Sequence, residues 1–103
     1  AKGDSVLAAL KQRFPEIKSL ADVTPAVGIA NAYDAMHLAA AAIEKAGDTQ
    51  GSKVRDGFYA INSYQGLIKD YTQPFTPTKH DALGPDDYVF THFVDGRIVP
   101  LAP

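Results

Sequence analysis

The segment that most constrains the fold of this chain is Thr24–Gly47, with the sequence TPAVGIANAYDAMHLAAAAIEKAG. Its residue pattern predicts one long helix with both ends marked: Thr24 as N-cap, Pro25 at the first helical position and Gly47 as a left-handed stop. About 22 residues at 1.5 Å each give a rod of roughly 33 Å. A rod of this length must bury a face, so the rest of the chain has to cover it.

The apolar surface predicted for this helix is wider than one core normally covers. The polar side chains fall on an arc of roughly 140°, which we expect to face water. That arc carries Asn31, Asp34, His37, Glu44 and Lys45, and shares its surface with Ala30, Leu38 and Ala41. The other 220° or so is almost entirely apolar, so the helix is expected to be covered on two sides. Its alanines favour a flat sheet on one side and a second helix beside it.

Composition limits the class of protein. The chain has 103 residues, which is enough for one domain, and 46% of them are hydrophobic and 21% charged, as in soluble globular proteins. Ten basic and twelve acidic residues leave no basic face for nucleic acid. Because there is no cysteine, disulfides, thiolate metal sites and a cysteine nucleophile are excluded. No apolar run approaches the roughly 20 residues that a bilayer-spanning helix needs.

Residues 1–61 are predicted to be helical. A first helix is expected over Ala1–Phe14, capped by Asp4 or Ser5, with Pro15 ending it. The connection 16–23 is expected to be pinned to the core by its apolar residues, which are Ile17, Leu20 and Val23. A third helix is expected to run to about Ile61.

The third helix has a candidate cap and one unfavourable residue. Thr49 or Ser52 can serve as its N-cap, and Val54, Phe58 and Ile61 form one apolar stripe. Gly57 lies inside it and costs about 1 kcal/mol relative to alanine, so this helix needs tertiary support.

Residues 62–103 are predicted to be irregular and extended. A short strand is expected around Leu67–Tyr71 and an extended piece at Phe75. The stretch 72–86 has no clear periodicity, and a loop of that length usually has a function or a partner surface.

The end of the chain is the clearest β signal. Two apolar runs, Tyr88–Val94 and Arg97–Leu101, flank Asp95-Gly96, the pair that favours a type I′ hairpin turn. This turn sets the register: Val94 lies opposite Arg97, His92 opposite Val99, and Thr91 opposite Pro100. Proline cannot donate to a ladder, so the last strand should be an edge. The first strand carries apolar residues on both faces and is expected to be buried on both.

These elements give α+β architecture in isolation, with three helices, a short strand and a terminal hairpin. So little sheet is a poor cover for the central helix, and a lone hairpin is marginal in water. Two explanations remain open. The chain forms a homodimer to complete its core, or it is the carboxyl-terminal part of a larger α/β protein.

Residues able to carry chemistry are few. No catalytic motif is present, and we predict no catalytic residue and no metal site, since the spacing of His37, His80 and His92 does not suggest shared ligation. His80 is expected to satisfy backbone groups of the long loop. Asp86 and Asp87 are expected to be turn formers that face water. The free amides at the start of the central helix suit a carboxylate ligand, although capping by Thr24 is the simpler interpretation.

Four stretches in order carry a family resemblance. They are NAYDAMHLAAAAIEKAGD, KVRDGFYAI, YQGLIKDY and PFTPTKHDALGPDDYVFTHFVDGRIVP. Together they resemble the carboxyl-terminal part of the solute-binding proteins of branched-chain amino acid-type ABC transporters, which have the type I periplasmic binding fold. The likeness spans roughly residues 6–99. One departure is visible, because the family often repeats a glycine shortly after the position of Gly66 and this chain does not.

The resemblance implies an α/β fold in which residues 1–103 form a single carboxyl-terminal fragment of a two-lobe protein, with the missing sheet supplied by preceding sequence. It implies a periplasmic, non-enzymatic transport component without a cofactor. The solute would be a branched-chain or other apolar amino acid, or a small aromatic or aliphatic carboxylate. The partners would be the remainder of the same protein and an ABC permease. Family contacts to solute come mostly from earlier loops, so the resemblance carries over no ligand-binding residue to this chain. Asn31, near the start of the central helix, is kept as a candidate.

Two other functions are compatible with the residues alone. One is a free-standing small α+β interaction domain that homodimerises through the central helix or the terminal edge. The other is a small hydrolase that uses His80 and a neighbouring acid.

Overall fold

The computed structural model describes residues 2–101, which form a small α+β domain of three helices and two antiparallel hairpins. The helices are α1 (Lys2–Arg13), α2 (Ala26–Ala46) and α3 (Gly51–Tyr59). The strands are β1 (Ser63–Gln65), β2 (Asp70–Thr72), β3 (Thr91–Val94) and β4 (Arg97–Pro100). Single 3₁₀ turns lie at Leu20–Asp22 and Pro85–Asp87. All three helices therefore lie within residues 2–59, and all four strands lie within residues 63–100.

The ends of α2 agree with the sequence at one end and not at the other. Gly47 adopts a left-handed conformation with φ of 61°, and its N–H donates to the Ile43 carbonyl oxygen at 2.9 Å, which confirms the predicted stop. The helix begins at Ala26 with Pro25 in the cap position, after a cis Thr24–Pro25 peptide bond. No side chain caps this end, so the prediction of Thr24 as the N-cap was wrong.

The orientation of α2 also differs from the prediction. Its fully buried stripe consists of Asp34, Leu38 and Ala42, spaced four residues apart. Asp34 and Leu38 belong to the arc that was expected to face water, whereas Met36 and Ile43 from the apolar arc are 71% and 40% exposed. Asn31, His37, Glu44 and Lys45 are exposed, as predicted. The helix is covered on one side by the described residues and not on two.

Helix α3 packs against α2 at a position without a side chain. Gly57 is buried, and a Cβ placed there would lie 2.1 Å from the Ala42 carbonyl oxygen. The glycine that weakens α3 locally therefore allows the two helices to approach. The helix begins at Gly51, after Gln50 in the cap position with no side-chain hydrogen bond, so the predicted caps Thr49 and Ser52 were wrong.

The core is small and lies where α2, α3 and the β1–β2 hairpin meet. Its buried members are Leu38, Ala42, Ile61 and Tyr71. Half-buried residues surround it, among them Val54, Phe58, Tyr64, Phe75 and Leu83. The predicted strand around 67–71 is instead a turn followed by β2, with β1 before it in antiparallel register, and the extended piece at 75 contributes one bridge between Thr76 and Lys79.

Helix α1 lies on the outside of the domain and buries none of its residues fully. It begins at Lys2, before Asp4 and Ser5, so neither is its cap; the predicted start at Ala1 lies outside the described residues. In the connection to α2, Val23 is buried and Ile17 half-buried, but Leu20 is 65% exposed. The expected pinning of this connection therefore holds at two of three apolar residues.

The β3–β4 hairpin has the predicted register, with Thr91 opposite Pro100, His92 opposite Val99 and Val94 opposite Arg97. Asp95 and Gly96 both have positive φ, 49° and 75°, as a type I′ turn requires. The expected burial of β3 on both faces was wrong within the described chain, since all four of its residues are exposed. The turn chemistry fixed the pairing without any help from packing.

The chain exposes more surface than a folded protein of its size usually does. Its accessible surface is 7703 Å², whereas a compact chain of this length exposes roughly 5,600 Å². Its radius of gyration is 16.3 Å, against roughly 13 Å for a compact domain of this length. The exposed β3–β4 hairpin and the uncovered face of α2 contribute to this larger surface and larger radius.

Candidate functional site

The most organised polar cluster in the structure centres on Asp34, whose side chain is 2% exposed. Its Oδ1 accepts the Leu67 backbone N–H at 2.5 Å, and its Oδ2 accepts the Ile68 backbone N–H at 2.9 Å. The Tyr71 hydroxyl donates to Oδ2 at 3.0 Å. We call Asp34, the turn 66–69 and Tyr71 the Asp34 cluster. It fastens the β1–β2 turn to the middle of α2.

Gly66 is required at the start of this turn by close approach. A Cβ there would lie 2.5 Å from Tyr71 Cε2 and 2.6 Å from Asp34 Oδ2. The Gly66 N–H donates to the Lys69 carbonyl oxygen at 2.9 Å, which closes the turn. A side chain at this position would push the turn away from the carboxylate, so the glycine makes the cluster possible.

The buried charge of Asp34 acts on neighbouring tyrosines. Burial raises the pKa of Tyr71 to about 12, and the hydrogen bond that its hydroxyl donates to Asp34 adds to this shift. Burial, followed by the negative charge of Asp34, also raises the pKa of Tyr64. Three donors already occupy the Asp34 carboxylate, which leaves it poorly placed to take a proton from a substrate. The chemistry of the cluster is structural.

A second carboxylate holds the other side of the same turn. Lys69 Nζ donates to both oxygens of Asp87 at 2.5 and 2.6 Å, and the Gly84 N–H donates to Asp87 Oδ2 at 2.7 Å. The Gly84 hydrogen bond and then Lys69 lower the pKa of Asp87, so the contact is present near neutral pH and is lost only in acid. Asp87 was expected to face water and instead anchors the long loop, whereas Asp86 is exposed as predicted.

Leu67, carried by the Asp34 cluster, forms one wall of an apolar groove of about 460 Å³. We call it the α1–α2 groove. Its other apolar residues include Val6, Leu7 and Leu10 of α1 together with Val23 and Ile29. A groove with this lining can accept apolar side chains, but it presents no paired acid and base to a substrate.

The ligand-binding candidate Asn31 lies on the exposed surface of α2, one turn from the helix start. Its Nδ2 donates to the Val27 carbonyl oxygen at 2.8 Å, so its amide is engaged within its own helix. Its role in solute binding stays a prediction.

The three histidines lie in different parts of the chain. His37 is exposed on α2, with its ring centroid 4.3 Å from that of Tyr33. His92 lies on the exposed hairpin opposite Val99. His80 stacks on Tyr59 at 6.1 Å, and its Nε2 lies 3.2 Å from the Tyr59 hydroxyl. His80 therefore contacts a side chain of α3, where a backbone contact was expected.

Residues 2–101 contain neither a metal-binding cluster of side chains nor a helix suited to cross a membrane. No group of three or more histidine, aspartate or glutamate side chains could hold a metal ion in that range. Among the described helices, none has the length and apolar character needed to cross a membrane.

The sequence contained a signal for the Asp34 cluster that the helical pattern alone did not resolve. Asp34 shares a stripe with Leu38 and Ala42, and a charged residue in line with apolar ones is either a solvated end of the stripe or a buried, hydrogen-bonded group. The deciding partners are backbone amides 33 and 34 residues later. Residue types do not reveal backbone donors, so periodicity could not choose between these cases.

No protein-family model matches this chain, and neither the search of curated proteins nor that of solved structures finds a match.

Proposed function

We propose that this chain is the scaffold of one lobe of a type I solute-binding protein that serves an ABC uptake system. In this proposal the chain carries out no catalysis. It supports a lobe that closes over a solute in the periplasm. The solute is a branched-chain or other apolar amino acid, or a small aromatic or aliphatic carboxylate, and the protein delivers it to a permease in the membrane. Closure is driven by the higher affinity of the closed state for solute.

The observation that carries this proposal is the exposed apolar stripe on α2. Ala32, Met36, Ala40 and Ile43 are spaced by four, four and three residues, which places them on one side of the helix, and all four are exposed. We call this stripe the α2 back face. It lies opposite the stripe that packs on α3 and the β1–β2 hairpin. Small side chains over most of its length suit close packing on a flat sheet.

The second support is the residue order that resembles the family. In that resemblance the lobe sheet comes from sequence preceding Ala1, and such a sheet would cover the α2 back face. The surface that the chain exposes beyond that of a compact domain, roughly 2,000 Å², is of the size that an obligate interface covers.

Mass and binding measurements test the proposal. We expect the natural polypeptide that contains these residues to have an intact mass well above the 11.0 kDa of this chain. Calorimetry with leucine, phenylalanine and benzoate should detect binding of at least one by that polypeptide. The 103-residue chain should bind none at micromolar strength, because half of the clamp is absent. A natural polypeptide limited to these residues would contradict the proposal.

A substitution on the α2 back face gives a sharper comparison. Met36→Lys should leave the urea midpoint of the 103-residue chain almost unchanged, since Met36 is 71% exposed. In the natural polypeptide it should cost roughly 2 to 4 kcal/mol, because the lysine would be buried against the sheet. Glu44→Gln, on the exposed polar side of α2, is the matched control and should be neutral in both. Equal effects of Met36→Lys in the two proteins would remove this support.

A further inference from the structure

The β3–β4 hairpin presents apolar side chains on both of its faces. Phe93 and Ile98 lie opposite each other on one face and are 76% and 67% exposed. Phe90, on the other face, is 82% exposed. Two isolated strands with this composition are marginal in water. The hairpin therefore has a strong tendency to acquire further strands.

Its two edges are not equivalent. The type I′ turn makes Val94 and Arg97 a hydrogen-bonded pair, and hydrogen-bonded and non-bonded pairs then alternate along the ladder. The Leu101 N–H donates to the Phe90 carbonyl oxygen at 2.9 Å, which agrees with this phase. The residues whose backbone groups point outward are therefore Thr91 and Phe93 on β3, and Ile98 and Pro100 on β4.

Pro100 makes the β4 edge a poor template for another strand. It has no N–H, so the outer edge of β4 lacks one of the donors that a neighbouring strand would need. The outer edge of β3 keeps both of its N–H groups, at Thr91 and Phe93. Among residues 2–101, β3 pairs with β4 alone, so this edge is unpaired. The asymmetry selects one edge for strand addition.

We propose that a second copy of this chain occupies the β3 edge, with the two β3 strands antiparallel about a two-fold axis and the four strands in the order β4-β3-β3-β4. Antiparallel pairing of one strand with its own copy is self-complementary, as a two-fold dimer requires. Asp95 and Arg97 are the acid and the base of residues 88–101 and cancel in charge, so no net charge opposes the approach.

The side chains beside this edge are free to pack in such a dimer. Phe90, Phe93 and Ile98 are 82%, 76% and 67% exposed, so pairing of the two strands can be accompanied by burial of apolar surface on either face of the joined sheet. The inference goes beyond the proposed function, because it concerns the 103-residue chain itself and depends on β3 and not on the α2 back face.

Matched proline substitutions test the choice of edge. Phe93→Pro and Ile98→Pro each remove one large side chain from the same face and one outward N–H, from β3 and β4 respectively, without removing a ladder hydrogen bond. Sedimentation velocity of the wild-type chain at micromolar concentration should show a dimer. Phe93→Pro should weaken dimerisation by at least about tenfold, whereas Ile98→Pro should weaken it by less than about threefold. Far-UV circular dichroism would check that the helices remain.

Single cysteines provide a readout that does not rely on proline. The chain has no cysteine, so a disulfide-linked dimer can form only at an introduced one. Under mild oxidation at least one of Thr91→Cys, His92→Cys and Phe93→Cys should cross-link efficiently, because the residue on the two-fold axis faces its own copy, whereas Ile98→Cys should not. A monomeric wild-type chain, equal effects of the two prolines, or a dimer that is lost in Met36→Lys and kept in Phe93→Pro would overturn the inference.

Discussion

The hydroxyl of Tyr71 donates to the carboxylate of Asp34 at 3.0 Å, across 37 residues of sequence. Both residues are buried, at the point where the β1–β2 hairpin meets α2. Two backbone N–H groups complete the coordination of the same carboxylate. Since the apolar core of this chain is small, this polar contact is a principal link between its helical part and its first hairpin.

Replacement of Asp34 by asparagine should destabilise the fold. An amide offers one acceptor oxygen and turns its NH₂ towards a donor, so at least one buried N–H loses its partner. We expect Asp34→Asn to lower the free energy of unfolding by about 2 to 4 kcal/mol. Urea denaturation followed by far-UV circular dichroism measures this change. Glu44→Gln on the same helix is the control, and equal urea midpoints for the two variants would refute the role of Asp34.

Alkaline pH should weaken the link through Tyr71. Its pKa is raised to about 12 in the fold, whereas an unfolded tyrosine has a pKa of about 10. The neutral phenol therefore contributes its full stability below pH 10, and that contribution is lost as the pH rises towards 12. By pH 11 the loss is roughly 1 kcal/mol.

Tyr71→Phe isolates this effect, because phenylalanine does not titrate. The variant should be less stable than wild type at pH 7, since the hydrogen bond to Asp34 is gone. The difference between the two proteins, measured by urea denaturation from pH 8 to 11, should shrink as the pH rises. A constant difference over that range would argue against the raised pKa.

The contact between α2 and α3 should reverse the usual effect of replacing a helical glycine. Alanine normally favours a helix by about 1 kcal/mol over glycine. At Gly57 its Cβ would lie 2.1 Å from the Ala42 carbonyl oxygen, so Gly57→Ala should cost about 1 to 3 kcal/mol through forced separation of the helices. Gly51→Ala at the start of α3 meets no atom within 4 Å. In thermal unfolding, Gly57→Ala should melt at a lower temperature than wild type, whereas Gly51→Ala should melt at the same temperature or higher.

The Lys69–Asp87 ion pair should control opening of the loop before β3. Its side chains are 30% and 21% exposed, whereas those of Lys53 and Asp48 in the pair beside α3 are 56% and 36% exposed. Lys69→Met should speed amide hydrogen exchange several-fold at Gly84, whose N–H donates to Asp87. Lys53→Met should leave that exchange unchanged because its ion pair is solvated. Unaltered exchange at Gly84 in Lys69→Met would show that backbone contacts alone hold the loop.

Local chemistry predicted the hairpin at the end of the chain well. Asp95-Gly96 selects a type I′ turn, which fixes the pairing of His92 with Val99 whatever lies around the hairpin. Gly47 stops α2 for the same kind of reason, because it supplies a left-handed conformation at no steric cost. Helix starts were predicted less well. Thr24, Ser5 and Thr49 are good capping residues, but none caps a helix here. Pro25 and Gln50 take the cap positions of α2 and α3 without a side-chain hydrogen bond, and α1 begins before Ser5.

The candidate site was only partly predictable. The sequence placed Asp34 on a polar arc, and in the absence of a known partner a carboxylate is assigned to water. Its actual partners are backbone N–H groups of residues 67 and 68, and every residue except proline carries such a donor. The side chains of Leu67 and Ile68 therefore give no indication that their backbone N–H groups bind Asp34. The sequence marks Gly66 only as part of the family resemblance. The reason that a glycine is needed there is the close approach of Tyr71, which is visible only in the tertiary structure.

By itself, the sequence determined which segments are helical, where α2 ends and how β3 pairs with β4, because periodicity, a left-handed glycine and a two-residue turn act over a few neighbouring residues. Only the tertiary structure decided which side of α2 is buried. Periodicity measures how apolar each side is, whereas burial depends on what the rest of the chain can place against it. In this chain the hydrogen bonds of the Asp34 carboxylate and the close packing of α3 on α2 at Gly57 buried the side of α2 that carries Asp34. Much of the wider apolar side stayed exposed.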